Sequence, residues 1–327
     1  MNKLGSISVL HVVFLSMTVI GLKNHVTILP PLLQEGGRDS WIAVLSASIL
    51  IFPWLFLVIY IHKKSNGEPL TDWLHSKLGG KASAVVRYAV AVILLIIAAF
   101  TLAETLQWIM GTFLPQTPML ALLIIYTTLC ILLASSNLQT IVMVNTFVLF
   151  FVTLLGFFVA FTNLQVKEYI LLLPILEHGV RPVIKSIVYP ASGFVELILF
   201  LFIQHRVKNQ FRWYHFAIML FIITGLTLGP LVGAITEFGP DEAAKQHYPA
   251  YEEWGLVSIG RFIEHMDFLS IYQWLTGAFI RVGFLLYVIV DLLRLTENKV
   301  RIWRMIAPPF FFMCLSCGEV QVVDDYG

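Results

Sequence analysis

The sequence predicts an all-α, polytopic membrane protein, and three observations carry that prediction. Of 327 residues, 58% are hydrophobic and only 13% are charged, where an average soluble domain is roughly 25% charged. Apolar runs of about 20 residues, the length that crosses a bilayer as a helix, recur along most of the chain. The runs are continuous rather than alternating, which argues against a transmembrane β-barrel. A soluble protein with a large core would need far more polar surface.

The remaining composition narrows the function classes. A net charge of +1 gives no electrostatic support for nucleic-acid binding. Cys130, Cys314 and Cys317 do not make a disulfide framework, and the lone Cys314-x-x-Cys317 pair at the end of an apolar run reads as incidental. The N-terminus has no clear cleavage site, so its apolar segment reads as a retained first helix. No His-Glu-x-x-His, P-loop or Gly-x-Ser-x-Gly is present, the nine histidines are scattered, and no spacing suggests a metal. The chain is therefore not read as an enzyme, and no cofactor is expected.

About nine spans follow in order, at residues 7–33, 41–61, 84–113, 119–134, 140–161, 184–204, 216–235, 269–293 and 302–315. Residues 5–315 form one transporter-like domain, and 316–327 an atypical tail. The connections give the orientation. The N-terminal side collects Lys3, then Lys63, Lys64, Lys77, Lys81 and Arg87, then Arg206, Lys208 and Arg212, then Arg294, Lys299, Arg301 and Arg304. The opposite side has only Arg38, Lys167, Arg181, Lys185, Lys245 and Arg261. The positive-inside rule puts the N-terminus in the cytoplasm.

Three connections have features of their own. Leu70, Trp73, Leu74 and Leu78 in the segment 65–82 have helical spacing and predict an interfacial cytoplasmic helix, with Thr71 or Asn66 as cap. Pro174, His178, Gly179 and Pro182 speak against one long helix over 163–181. The largest outside loop, 236–268, is acidic. It reads either as a solvated loop or as a gating lid, with a short amphipathic helix over 256–266.

Two spans are interrupted. The first carries Gly21-Leu22-Lys23-Asn24-His25, with Pro30 and Pro31 beyond; the sixth carries Pro190, Ser192, Gly193 and Glu196. A helix break leaves unpaired carbonyls on one side and unpaired amides on the other, and such ends hold carboxylate or ammonium groups. The alternative for the first span is a kinked helix whose lysine reaches for the interface. The two interruptions are five spans apart. Discontinuous helices at matching places in two five-helix halves point to an inverted-repeat transporter fold with broken helices 1 and 6.

Four ionisable residues fall inside spans: Lys23, Glu104, Glu196 and Arg281. An intramembrane charge marks a functional site by default, and the competing reading is a structural ion pair. Glu104 and Gln107 share a helix face one turn apart. Tyr272 and Arg281 are about 13 Å apart along the eighth span, near one face.

These residues resemble the B subunit of endospore germinant receptors, the spore germination permeases within the amino acid–polyamine–organocation superfamily. The resemblance rests on an ordered set covering roughly residues 5–312. It starts with Ile7-Ser8-Val9-Leu10-His11-Val12-Val13-Phe14-Leu15-Ser16-Met17 and the Gly21 break. Glu104 and Phe113-Leu114-Pro115-Gln116-Thr117-Pro118 come next, followed by Leu173-Pro174-Ile175-Leu176 and the segment from Tyr189-Pro190 to Glu196. The set closes with Tyr248-Pro249, Ile259-Gly260-Arg261, Asp267-Phe268 and Trp274. It implies a ten-helix transporter fold, a nutrient-binding role, and partner A and C subunits in the spore inner membrane. It also implies a ligand pocket lined by Thr18, Val19 and Gly21, by Ala191, Ser192, Gly193, Phe194 and Glu196, and by Glu104 and Tyr272. The chain departs from the family after Phe312, where a polar tail replaces the final helix; a frameshift or truncated gene is the expected explanation. The resemblance favours a nutrient sensor that triggers germination. The alternative is a secondary amino-acid transporter coupled to H⁺ or Na⁺, with Glu196 or Glu104 as the protonatable group.

Overall fold

The computed structural model describes residues 6–258 and 266–324, with side chains described as far as Cys317. Its regular structure is helical. Among the described residues the one β feature is an isolated parallel bridge between Ile7 and Val207. Among the described residues eight helices are long and apolar enough to cross a membrane, and a further apolar helix, Met119–Ala134, is shorter. The chain is thus an all-α polytopic membrane protein.

Helix α1 (Val9–Val19) starts where Ser8 caps it. The Ser8 hydroxyl accepts from the His11 amide, and His11 Nδ1 accepts from the Ser8 amide. A π-helical turn, Lys23–Thr27, follows, and then α2 (Leu29–Gly36). Helix α3 (Ser40–Lys64) leads to α4 (Leu70–Thr112). Gly79 kinks α4 with φ 78°, a left-handed conformation that glycine adopts freely. The kink separates the expected interfacial segment from the third span. Neither Thr71 nor Asn66 caps that segment: Pro69 holds the N-cap position and makes no side-chain bond.

Helices α5 (Met119–Ala134) and α6 (Leu138–Thr162) follow, the latter capped by Asn137 Oδ1, which accepts from the Thr140 amide at 2.8 Å. Residues 163–179 make two short 3₁₀ turns rather than a long helix, as the prolines and glycine predict. The sixth span comprises α7 (Val180–Ser186), α8 (Val188–Phe194) and a 3₁₀ segment, Val195–Leu201. Then come α9 (Trp213–Phe238), α10 (Pro240–Ala243), α11 (Pro249–Gly255), α12 (Phe268–Leu292) and α13 (Lys299–Asp324). The predicted amphipathic helix over 256–266 falls mostly outside the described residues. Helix α13 continues past Phe312, through the stretch where the sequence turns polar.

Both irregular spans are where the sequence puts them, and the structure defines their form. Neither unwinds. Ile20 stays in right-handed helical conformation, the Asn24 amide still reaches the Ile20 carbonyl at 3.1 Å, and the Ile28 amide closes the wide turn on the Lys23 carbonyl at 3.1 Å. In the sixth span Pro190 removes one donor, yet the Ala191 amide bonds to Ile187 at 3.1 Å before the chain tightens into the 3₁₀ segment. A π or 3₁₀ turn keeps backbone groups paired where water is absent, which a full break does not.

Helix α12 is the centre of the bundle. It packs against α1, α4, α5 and α6, and 78% of its most apolar stretch is buried, against 22% for α6. The outer face of α6 presents Phe147, Phe150, Phe157 and Phe161 outward. This is the arrangement lipid requires, with large apolar side chains facing out and polar ones facing in.

Candidate functional site

The four intramembrane charges converge. Lys23 leaves the π turn and reaches Glu196 in the 3₁₀ segment, Nζ to Oε1 2.9 Å. Arg281, halfway along α12, meets the same carboxylate in a fork, Nη1 to Oε2 2.8 Å and Nη2 to Oε1 3.0 Å. Its Nη1 also donates to the Val19 carbonyl at the end of α1, and its Nε donates to Thr101 Oγ1 of α4 at 3.3 Å. Such a fork fixes the guanidinium plane as well as the charge. Arg281 is 1% exposed and Glu196 9%, so neither is solvated by bulk water.

Glu104 completes the charge balance. It sits one turn from Thr101 on α4, and its Oε2 accepts from Thr27 Oγ1, on the π turn, at 2.9 Å. Two cations and two carboxylates thus meet where four elements join, and their formal charges cancel. Lys23 and Arg281 lie inside predicted spans but outside the expected pocket lining, and they supply two of the four charges. The signal that finds them is an ionisable residue in an apolar run.

The π turn is held from the other side as well. Asn24 Nδ2 donates to Thr227 Oγ1 of α9 at 3.1 Å, and His25 Nδ1 faces the Leu226 carbonyl at 3.3 Å, where it donates. Asn24 Oδ1 lies against the backbone of Gly193: a Cβ there would sit 1.8 Å from it. Gly193 therefore allows the sixth span to close on the first. Gly21 has a looser role, since a Cβ would meet Leu226 at 3.2 Å.

The other expected lining residues divide. Thr18 and Val19 are buried beside the cluster, and the Thr18 hydroxyl has no hydrogen-bond partner among the described residues. Phe194 is fully buried and packs in the core, with Ala191 half-buried against it. Ser192 lies on the exposed side of its helix with Val188 and Val195, and its hydroxyl donates back to the Tyr189 carbonyl at 2.7 Å. Tyr272 stands edge-on to Phe151 of α6, about two and a half turns from Arg281. The structure brings neither of these two to the charge cluster.

An aromatic group lies next to the π turn. Trp108 of α4 stacks on Trp274 of α12 with centroids 4.0 Å apart. Tyr251 of α11 meets Trp108 at 5.8 Å, and Tyr248 meets Trp274 at 5.1 Å. Leu22 and Val26 of the first span pack in the same group. Helix α11 thus covers the π turn from one end of the bundle.

Fold and site define a class: a polytopic helical membrane protein with a buried, charge-balanced cluster where irregular helices meet, the build of a permease-type core. Comparison with known proteins gives the family. The family described as "Spore germination protein" matches residues 6–316. Spore germination protein XB of Bacillus anthracis is 43% identical over 281 residues, covering 86% of this chain and 79% of that protein. The putative spore germination protein YfkT of Bacillus subtilis (strain 168) is 25% identical, covering 91% of this chain and 81% of that protein. Spore germination protein A2 of the same strain is 21% identical over 252 residues, covering 74% of this chain and 67% of that protein. The chain belongs to the spore germination protein family, as a membrane subunit of the germinant-receptor B type.

Proposed function

We propose that this subunit senses a small nutrient, such as an amino acid, at the Lys23–Glu196–Arg281–Glu104 cluster, and that binding triggers spore germination. The observation that carries this reading is the convergence of four charges on the two irregular spans. A zwitterionic ligand offers a carboxylate to Lys23 and Arg281 and an ammonium to Glu196 or Glu104. It can therefore exchange one set of ion pairs for another and move the helices that bear them. A ligand shifts such an equilibrium only by its differential affinity for the two arrangements. The change passes to A and C partner subunits of a receptor in the spore inner membrane, with the N-terminus of this chain in the cytoplasm, the side favoured by the distribution of lysine and arginine.

The relatives' names support the germination role, and the buried cluster supports a polar ligand. A test is the germination of a strain lacking this gene, complemented with wild type or variant, against a panel of nutrients. Restoration of a response to one nutrient class by the wild-type copy is the expected result; a full response without the gene contradicts the proposal.

One observation favours a second reading, a secondary amino-acid transporter. Glu104 accepts a hydrogen bond from a hydroxyl, that of Thr27, which suits a carboxylate that takes up and releases a proton. Uptake of labelled amino acid by the lone protein in vesicles, driven by a H⁺ or Na⁺ gradient, separates the two. Robust uptake without partner subunits counts against the sensor.

A further inference from the structure

A second buried cluster lies away from the first, at the end of the bundle that carries α10 and α11. Glu237 is the penultimate residue of α9, and its side chain is fully buried. Lys167 approaches it, Nζ to Oε1 3.3 Å. Asn163, 1% exposed, donates through Nδ2 to Glu237 Oε2 at 2.9 Å and to the Glu253 carbonyl at 2.8 Å. Glu253 belongs to α11 and is 7% exposed. Its carboxyl is pressed on Gly233 of α9, where a Cβ would lie 2.7 Å from Oε1 and 2.9 Å from Oε2. Glycine at 233 thus makes room for a buried carboxyl.

This cluster does not balance. It holds two carboxylates and one ammonium, so with all three ionised it keeps a net negative charge out of water. Three buried acceptor oxygens in it also have no hydrogen-bond partner among the described residues: Glu253 Oε1, Asn163 Oδ1 and Glu237 Oε1, the last with only the ion pair to Lys167. One added proton corrects both faults. It neutralises the second carboxylate, and it supplies an O–H donor to a cluster whose unpartnered atoms are all acceptor oxygens.

We propose that Glu253 and Glu237 form a proton-binding site, in which one bound proton locks α11 onto α9 and over the π turn. The proposal does not depend on which ligand the central cluster takes. Helix α11 packs on α9, α2 and the π turn, so the lock governs the cover of the central cluster.

The groups that face Glu253 agree with this assignment. Burial, and then the neighbouring Glu237 charge, hold the Glu253 carboxyl well above the usual carboxylate range, with Lys167 acting in the opposite sense. Glu35 of α2 is engaged with Lys185 at 3.0 Å, Lys23 of the π turn with Glu196, and His25 with the Leu226 carbonyl. On α11 itself Glu252 faces Asp267. The Tyr251 hydroxyl donates to Asp267 Oδ2 at 3.0 Å and is pushed up to about 12 by burial and then by that carboxylate. It stays a donor through neutral pH, so it is not the titrating tie.

The sign follows from linkage. The closed state binds the Glu253 proton more tightly than a solvated, released α11 does. The lock is therefore fully in force below the ordinary glutamate range and weakens as pH rises above it, until Glu253 ionises in the closed state too.

Infrared difference spectra of the full chain in lipid, titrated across pH, test the proton directly. The expected result is a protonated-carboxyl C=O band present at neutral pH and lost in Glu253→Gln. In Glu237→Gln the like charge is gone and Lys167 has Glu253 alone, so the band disappears at a pH lower by about one unit or more. Hydrogen exchange of residues 248–258, corrected for intrinsic rate, tests the lock: protection falls with rising pH in wild type and stays flat in Glu253→Gln. Absence of the band at neutral pH, a band untouched by Glu253→Gln, or the same pH dependence of exchange in both proteins overturns the proposal. So does protection that follows sodium concentration rather than pH, which would make the bound species a metal cation.

Discussion

At the centre of the bundle Glu196 lies between Lys23 and Arg281, with Glu104 near by; at the α11 end the cluster of Glu237 and Glu253 has a single ammonium, Lys167, paired with Glu237. Both clusters are buried, and both tie together segments far apart in the chain. The central one is neutral by pairing, and Arg281 fills its fork with good geometry. The peripheral one needs a proton. A paired cluster holds its shape over a wide pH range and yields only to a competitor of matching charge. An unbalanced one responds to the solvent. The contrast teaches that burial alone does not say what an ionisable group is for; the count of partners does.

The largest expected effect falls on the central cluster. Arg281→Met leaves Glu196 with Lys23 alone and strips the Val19 carbonyl and Thr101 of a donor. It should cost about 3–5 kcal/mol, the size of breaking a buried pair by removing one partner, read as loss of thermal stability in detergent. Arg281→Lys keeps the charge and loses the fork, so it should fall between the two. Wild-type stability in Arg281→Met would mean that the cluster carries no such strength.

Next comes the contact that lets the irregular spans meet. Gly193→Ala drives a Cβ into Asn24 Oδ1, whose side chain is held by Thr227. A loss of about 1–3 kcal/mol is expected, the usual range for overpacking. The double variant with Asn24→Ala should lose less than the sum of the two single losses, because the obstructing atom is gone. Strict additivity would show that the two spans do not touch there.

At the α11 end the effect is a slope rather than a step. Glu253→Gln resembles the protonated carboxyl, so at about pH 4, below the range in which the lock weakens, its thermal stability should match wild type to within about 0.5 kcal/mol. As pH rises, wild type should lose stability relative to the variant, because its raised Glu253 has a proton to give up. Parallel pH profiles would contradict the difference drawn between the clusters. Smallest of all is Ser192→Ala. Its hydroxyl bonds only within its own turn on an exposed face, so a change within about 0.5 kcal/mol is expected.

The comparison also shows what the sequence discloses. Charges in apolar runs stand out, so Lys23, Glu104, Glu196 and Arg281 are legible one by one. Their pairing is not, because Glu196 is 173 residues from Lys23 and 85 from Arg281, and helix periodicity has no information on such separations. The irregular spans are legible from Gly21 and Pro190, but not their form. The chain chooses π and 3₁₀ turns because lipid penalises unpaired backbone groups. Glu237 and Glu253 read as part of an acidic loop, since carboxylates in connections are usually solvated. Nothing local marks Gly233 as the space that buries one of them. Ser192 looks like a pocket residue beside a proline, and only its register with Val188 and Val195 puts it on the outer face.

The central claim is that a nutrient is read at the midspan charge cluster. Its most direct test is the germination dose response of a strain carrying Glu196→Ala, with membrane insertion of the variant confirmed, beside the wild-type strain. The account predicts a response abolished or shifted by at least about tenfold in nutrient concentration, equivalent to about 1.4 kcal/mol. A dose response that overlays wild type would contradict it.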